Sequence, residues 1–269
     1  MSKPTTLSHR PRQRFGQHFL HDAGVIRHIL KVVQAQTGQH LVEIGPGLGA
    51  LTRPLLAAVG CLEAVELDRD LIPVLETRCR GLGELQLYQA DALCFDFAGL
   101  RRDERDLRIV GNLPYNIATP LLFHLLAQAG AIQDMHFMLQ KEVAERLAAA
   151  PGRAAYGRLS VMVQYRCRVE LLFTIGSGAF SPPPQVESAF VRLLPWAQPP
   201  VQVGDAQNFA LLVRQAFSQR RKILRNTLAG LLTPAAIQAA GVDPGVRPEM
   251  LDLAEFAALS RQLAGGTGG

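Results

Sequence analysis

Between residues 22 and 150 the chain alternates short apolar runs with stretches of helical period, and no other feature restricts its fold so much. Val25, Ile26, Ile29, Leu30 and Val33 recur at helical spacing behind Asp22, a residue suited to an N-cap. HLVEIG reads as a buried strand running into Gly45, with a helix from about Ala50. CLEAVEL, LQLYQ, LRIVGN and IQDMHFMLQ read as further strands. Helices are predicted over 69–79 and from Thr119, with Thr119 as the cap and Pro120 in the first turn. KEVAERLAAA supplies another helix, and ELLFTI and SAFVRLL complete one edge, joined by the turn FSPPPQ. Strands alternating with helices in this way predict right-handed βαβ units and an α/β fold, a doubly wound, mainly parallel sheet of seven strands.

Beyond LLPWAQPPVQVGD only helical patterns remain, over 209–217, 220–228, 234–240 and 253–263. The organisation expected is a basic arm over 1–20, a sheet domain over 21–196 and a small all-helical domain over 204–264. Hydrophobic residues make up 48% and charged residues 19%, the composition of a globular enzyme. No apolar run approaches the roughly 20 residues that span a bilayer, and the N-terminus lacks a signal-peptide core. A cytosolic protein, with no membrane partner and monomeric, is expected. Cys61, Cys79, Cys94 and Cys167 are scattered without metal-ligand spacing, so they read as small buried residues and no metal is expected. Net charge is +5, and the cations cluster. Lys3, Arg10, Arg12 and Arg14 precede any acid, Arg220, Arg221, Lys222 and Arg225 form an acid-free block, and Arg153, Arg158, Arg166 and Arg168 form a third group. Three separate basic clusters point to a polyanion, most simply a nucleic acid.

Successive strand ends carry ligand-binding chemistry. EIGPGLGAL places Gly45, Gly47 and Gly49 where a backbone must approach a ligand closely, ahead of a helix N-terminus. Glu66 ends the next strand, placed to accept from both ribose hydroxyls of a nucleoside; Asp91, followed by Ala92, ends the third, placed to accept from an adenine amino group. The loop is GxGxG rather than the dinucleotide GxGxxG, and with the two acids it favours S-adenosylmethionine over NAD.

The fourth strand runs into GNLPYNIATP. An exocyclic adenine amine is a poor nucleophile because its lone pair is delocalised into the ring. Methylating it calls for acceptors that hold its hydrogens and turn the lone pair toward the methyl donor. Asn112 offers a side-chain oxygen, Leu113 or Pro114 a carbonyl held by the proline bend, and Tyr115 a ring on which a flipped base can stack.

Asn112-Leu113-Pro114-Tyr115 resembles the signature of the ribosomal RNA adenine N6-dimethyltransferases. RFGQHFL, YGRLSVMVQY, FSPPPQVESAFVRL and FSQRRKILRNTL extend the resemblance over nearly all of 14–260, toward the type acting on small-subunit rRNA. It implies a Rossmann-like class I methyltransferase fold and S-adenosylmethionine contacts at His18, Leu20, Gly45, Glu66, Asp91 and Asn112. It implies that Tyr115 and Phe180 flank the base, and that the Arg220–Arg225 block grips RNA. The substrate implied is a pair of adjacent adenosines in the 3′-terminal hairpin of 16S rRNA, each methylated twice. Two positions depart from the family pattern, His18 for Asn and Gln185 for Lys. The alternatives are a macrolide-resistance type of large-subunit enzyme and a non-catalytic assembly factor; a DNA adenine methyltransferase fits the loop less well, and DNA is not an expected partner.

Overall fold

The structure is a computed structural model, which describes residues 17–219 and 221–265. The basic arm up to residue 16 and Arg220 lie outside the described residues.

One compact unit takes in the chain to Ala144 together with Glu170–Pro195. It is built on a seven-stranded sheet of order β4-β3-β2-β5-β6-β9-β7. Its strands are β2 (His40–Ile44), β3 (Cys61–Glu66), β4 (Glu84–Gln89), β5 (Leu107–Asn112), β6 (Ile132–Gln140), β7 (Cys167–Ile175) and β9 (Ser188–Pro195). β2 to β6 pair in parallel, and β9 is antiparallel to β6. Two short strands, β1 (Phe19–Leu20) and β8 (Phe180–Ser181), pair antiparallel on their own. The chain winds outward from β2 through β3 to β4, then returns to β5 beside β2, so strand order reverses between β2 and β5. In open α/β sheets that reversal leaves a crevice at the strand C-termini.

α1 (Ala23–Val33) starts where expected: Asp22 caps it by accepting from the Val25 amide at 2.8 Å. Its apolar side buries Ile29 and Val33 against Leu41, Leu55 of α2 (Thr52–Val59), Met138 and Phe190 in one core. α3 (Ile72–Cys79) closes the β3–β4 crossover. α4 (Ala118–Ala127) begins earlier than the sequence suggests. The Ile117 amide bonds the Pro114 carbonyl at 3.2 Å, so the turn delivers the chain into helix at Ala118 and Thr119 lies inside the first turn, not at the cap.

The second unit takes Glu145–Val169 and the chain from Trp196. Residues 145–169 were expected in the sheet domain. They belong here because Ala149, Tyr156, Val161 and Tyr165 share a core with Phe209, Leu212, Leu224 and Phe256. α5 (Lys141–Ala148) leads into this segment, and α6 (Arg158–Gln164) was not expected; Ser160 stabilises its start by accepting from the Gly157 amide at 3.0 Å. α7 (Ala206–Ala216), α9 (Pro234–Ala239) and α10 (Leu253–Gly265) fall within the predicted helical stretches or close to them. The helix expected over 220–228 shrinks to α8 (Leu224–Thr227). Ile223 is extended, and the Leu224 and Arg225 amides bond the carbonyls of Val246 and Pro244 instead of a preceding turn.

Cys79 and Cys167 are buried as expected, but Cys61 and Cys94 are exposed, because they sit at a strand start and in a loop. No helix among the described residues is long and apolar enough to cross a membrane. Among them no group of three His, Cys, Asp or Glu side chains has the arrangement of a metal site.

Candidate active site

A cavity opens at the C-terminal ends of β2 to β5, where the strand order reverses. Ile44 at the end of β2 and Gly45 and Gly47 in the loop after it line the cavity, with Glu66 and Leu67 at the end of β3 and Asp91 and Ala92 just beyond β4. Asn112, Leu113, Pro114 and Tyr115 follow from β5. Gly47 has φ +57°, and a Cβ there would lie 3.1 Å from the Phe19 ring, so glycine is needed both for conformation and for space. Gly111, just before Asn112, lies so close to β2 that a Cβ would meet the Ile44 carbonyl oxygen at 2.7 Å.

Glu66 is buried, and its two oxygens accept from the backbone amides of Gly47 at 3.1 Å and Asp68 at 2.9 Å. Burial raises its pKa above the ordinary 4.5, while those two amides act in the opposite direction. Asp91 accepts from the Leu93 amide through Oδ1 at 2.9 Å. Ile44, Val65 and Leu67 add apolar surface to the same cavity, and Leu67 is partly exposed there.

Glu43, in β2, opens the EIGPGLGAL stretch, where the sequence predicts no separate role for it. It is fully buried, its Oε2 has no hydrogen-bond partner, and burial pushes its pKa up to about 8 against an opposing contribution from Thr52. An acid midway along an apolar strand gave no cue beyond its interruption of HLVEI.

Asn112 is half-buried, and its Nδ2 donates to the His18 carbonyl at 2.9 Å. With the amide nitrogen engaged, Oδ1 is the end of the side chain left to accept. The Leu113 side chain is buried and its amide bonds the Met138 carbonyl at 3.2 Å, which anchors the loop to β6. Tyr115 shares a hydrogen bond of 2.7 Å with the Ser188 hydroxyl.

Residues 17–20 cross this cavity as a strap. Phe19 pairs with Ser181 and Leu20 with Phe180; Gln17 donates to Asp68 at 3.3 Å, and His18 Nδ1 donates to the Pro182 carbonyl at 2.8 Å. Gln17, His18 and Phe19 line the cavity. Two residues expected at the site are not brought to it. Leu20 and Phe180, paired across β1 and β8, both turn inward to the core, and Phe180 is only 2% exposed. Of the expected RNA-contacting residues, Arg221, Lys222 and Arg225 are exposed on the second unit.

A parallel sheet with its cavity at the strand-order reversal, a glycine loop and two acids at successive strand ends define a Rossmann-like methyltransferase fold. The family Ribosomal RNA adenine dimethylase matches residues 8–264. The chain is 59% identical to Ribosomal RNA small subunit methyltransferase A of Pseudomonas putida over 256 residues, 95% of this chain and 96% of that protein. Its counterpart of the same name in Pseudomonas aeruginosa is also 59% identical, over the same shares. Among solved structures, a dimethyladenosine transferase from Plasmodium falciparum superposes with TM-score 0.75 at 26% identity, covering 90% of this chain and 96% of that one. The 23S rRNA methyltransferase ErmE shares the fold, with TM-score 0.73, 24% identity and coverage of 91% and 99%. The chain belongs to the ribosomal RNA adenine dimethylase family, and it is an enzyme that methylates adenine in ribosomal RNA.

Proposed function

We propose that this enzyme transfers methyl groups from S-adenosylmethionine to the N6 atoms of two adjacent adenosines in the 3′-terminal hairpin of small-subunit rRNA, giving N6,N6-dimethyladenosine. The cavity residues fit that cofactor: Glu66 provides buried carboxylate oxygens for ribose hydroxyls, Asp91 has an oxygen for an adenine amino group, and Gly45 and Gly47 leave room along the backbone. Ala92 and Leu67 suit the faces of a purine. When bound, the cofactor supplies a methyl on a sulfonium, whose sulfur keeps the bonding electron pair as the methyl leaves. The chain's part is to hold the target amine. Asn112 Oδ1 accepts one amine hydrogen, and the Leu113 carbonyl is the better candidate for the other, since Pro114's carbonyl already accepts from Ile117. Holding both hydrogens turns the nitrogen lone pair toward the methyl and stabilises the positive charge that develops there until the proton departs to solvent. Tyr115 stacks on the base.

The observation that carries this reading is the orientation of Asn112, whose nitrogen is committed to His18 while its oxygen is not. Arg221, Lys222 and Arg225, with Arg220, contact RNA phosphates from the helical domain, and the sheet domain performs the chemistry. The choice of the small subunit is supported by the names of the Pseudomonas relatives. It is tested by labelled methyl transfer to undermethylated small subunits, naked small-subunit rRNA and large-subunit rRNA in parallel. Label in small-subunit RNA is expected; label confined to large-subunit RNA would overturn the assignment.

A further inference from the structure

Tyr115 stands in a turn of the loop 113–117, where a ring that is only partly buried would ordinarily sample several rotamers. Here it does not stand free. Its hydroxyl shares the 2.7 Å hydrogen bond with Ser188, a residue with no exposed surface at the first position of β9. The ring also stacks against the His18 imidazole, with centroids 5.6 Å apart and planes 28° from parallel. The imidazole is itself fixed by Nδ1 donating to the Pro182 carbonyl, and the His18 carbonyl accepts from Asn112. Three chain segments remote in sequence are therefore tied together around one tyrosine: the strap, the loop after β5, and the stretch from Pro182 to Ser188 that leads into β9.

Resting on the reading of Tyr115 as the base-stacking ring, we infer that His18 and Ser188 are positioning residues that preset this ring before RNA arrives. His18 covers one face of Tyr115 and leaves the other for the target adenine, so that imidazole, phenol and base form one column. Ser188 fixes the direction of the ring's long axis by holding the hydroxyl, while the stacked imidazole sets the plane of the ring. Phe180 is buried in the core and supplies no second wall in this arrangement, so the orientation of the base depends on how firmly Tyr115 is held. Immobilising one aromatic side chain in advance spares the entropy otherwise lost on binding, an effect on the order of two- to tenfold in kcat/KM. The departure at position 18 gains a role here: a ring at this position can stack on Tyr115, which an amide does far less well.

The test uses the full chain with undermethylated small subunits for kcat and KM, and S-adenosylhomocysteine titration for cofactor affinity. His18→Ala and Ser188→Ala should each lower kcat/KM for RNA about two- to tenfold, with S-adenosylhomocysteine affinity within about twofold of wild type. His18→Phe, which keeps a ring, should recover most of the loss. Tyr115→Phe should cost as much as Ser188→Ala, and adding Ser188→Ala to it should cost nothing more, because both remove one hydrogen bond. Cofactor affinity falling in step with kcat/KM in His18→Ala would overturn the inference in favour of a cofactor contact. Unchanged kcat/KM in His18→Ala and Ser188→Ala, with Tyr115→Ala inactive, would overturn it while leaving the base-stacking reading standing. A fully active Tyr115→Ala would overturn both.

Discussion

The side-chain nitrogen of Asn112 donates to the backbone carbonyl of His18 across 2.9 Å, joining the end of β5 to a segment 94 residues earlier in the chain. The bond does two jobs at once. It holds the strap over the cavity, and in the proposed reaction it leaves the amide oxygen for the target amine. An aspartate at position 112 would present two oxygens and repel the His18 carbonyl, which is a physical reason for an amide at this point of the loop.

Glu66 links cofactor affinity to pH. Burial holds its pKa above 4.5, and ribose hydroxyls would donate to its ionised form. Binding therefore favours loss of the proton, and S-adenosylhomocysteine affinity should fall as pH drops through that raised pKa. Glu66→Gln should weaken binding about tenfold to a hundredfold at neutral pH, from the loss of charge-assisted hydrogen bonds, and flatten the pH profile. Titration calorimetry from pH 5 to 8 reads both effects; a variant with wild-type affinity would remove Glu66 from the cofactor site.

Glu43 links fold stability to pH with a definite sign. Its folded pKa of about 8 lies above the ordinary 4.5, so between those values the native state keeps a proton that the unfolded chain has released. Its contribution to stability is complete below pH 4.5 and is lost as pH rises toward 8. Glu43→Gln cannot lose it, so the stability of the variant relative to wild type should rise steadily from pH 5 to pH 8. Urea midpoints at several pH values would show this, and a constant difference would mean that Glu43 is already ionised in the fold.

The exposed cations of the second unit make a prediction about salt. Arg221→Ala with Lys222→Ala should weaken RNA binding and reduce the slope of log K against log salt by about 1.4 to 1.8, the share of two phosphate contacts. Methyl transfer at saturating RNA should change little. An unchanged slope would take this block out of the RNA interface.

Much of the fold is legible in the chain because parallel strands buried on both faces leave apolar runs that helices interrupt. β5 coincides with LRIVGN, and Asp22 caps α1 as its chemistry suggests. The strand ends were legible for a related reason: Glu66 and Asn112 each close a buried strand, and Asp91 follows the edge strand β4, so a polar residue at each place stands out. Long-range pairing was not legible. Phe180 turns inward because β8 pairs with β1, a contact between residues 160 apart that no local pattern encodes. Ser188 is a single small residue whose importance lies only in what it touches. α8 is short because its amides find partners in 244–246, so a helical period in the sequence overstates the helix.

The most direct test of the account is Asn112→Ala, with methyl transfer to undermethylated small subunits and S-adenosylhomocysteine binding measured on the same preparation. Loss of one acceptor aimed at the reacting amine should lower kcat about a hundredfold to a thousandfold, the range found for removing a single transition-state contact. RNA binding should persist, and cofactor binding should fall far less than kcat. Methyl transfer at the wild-type rate would contradict the account, because the reacting amine would then be oriented by something other than the loop at the end of β5.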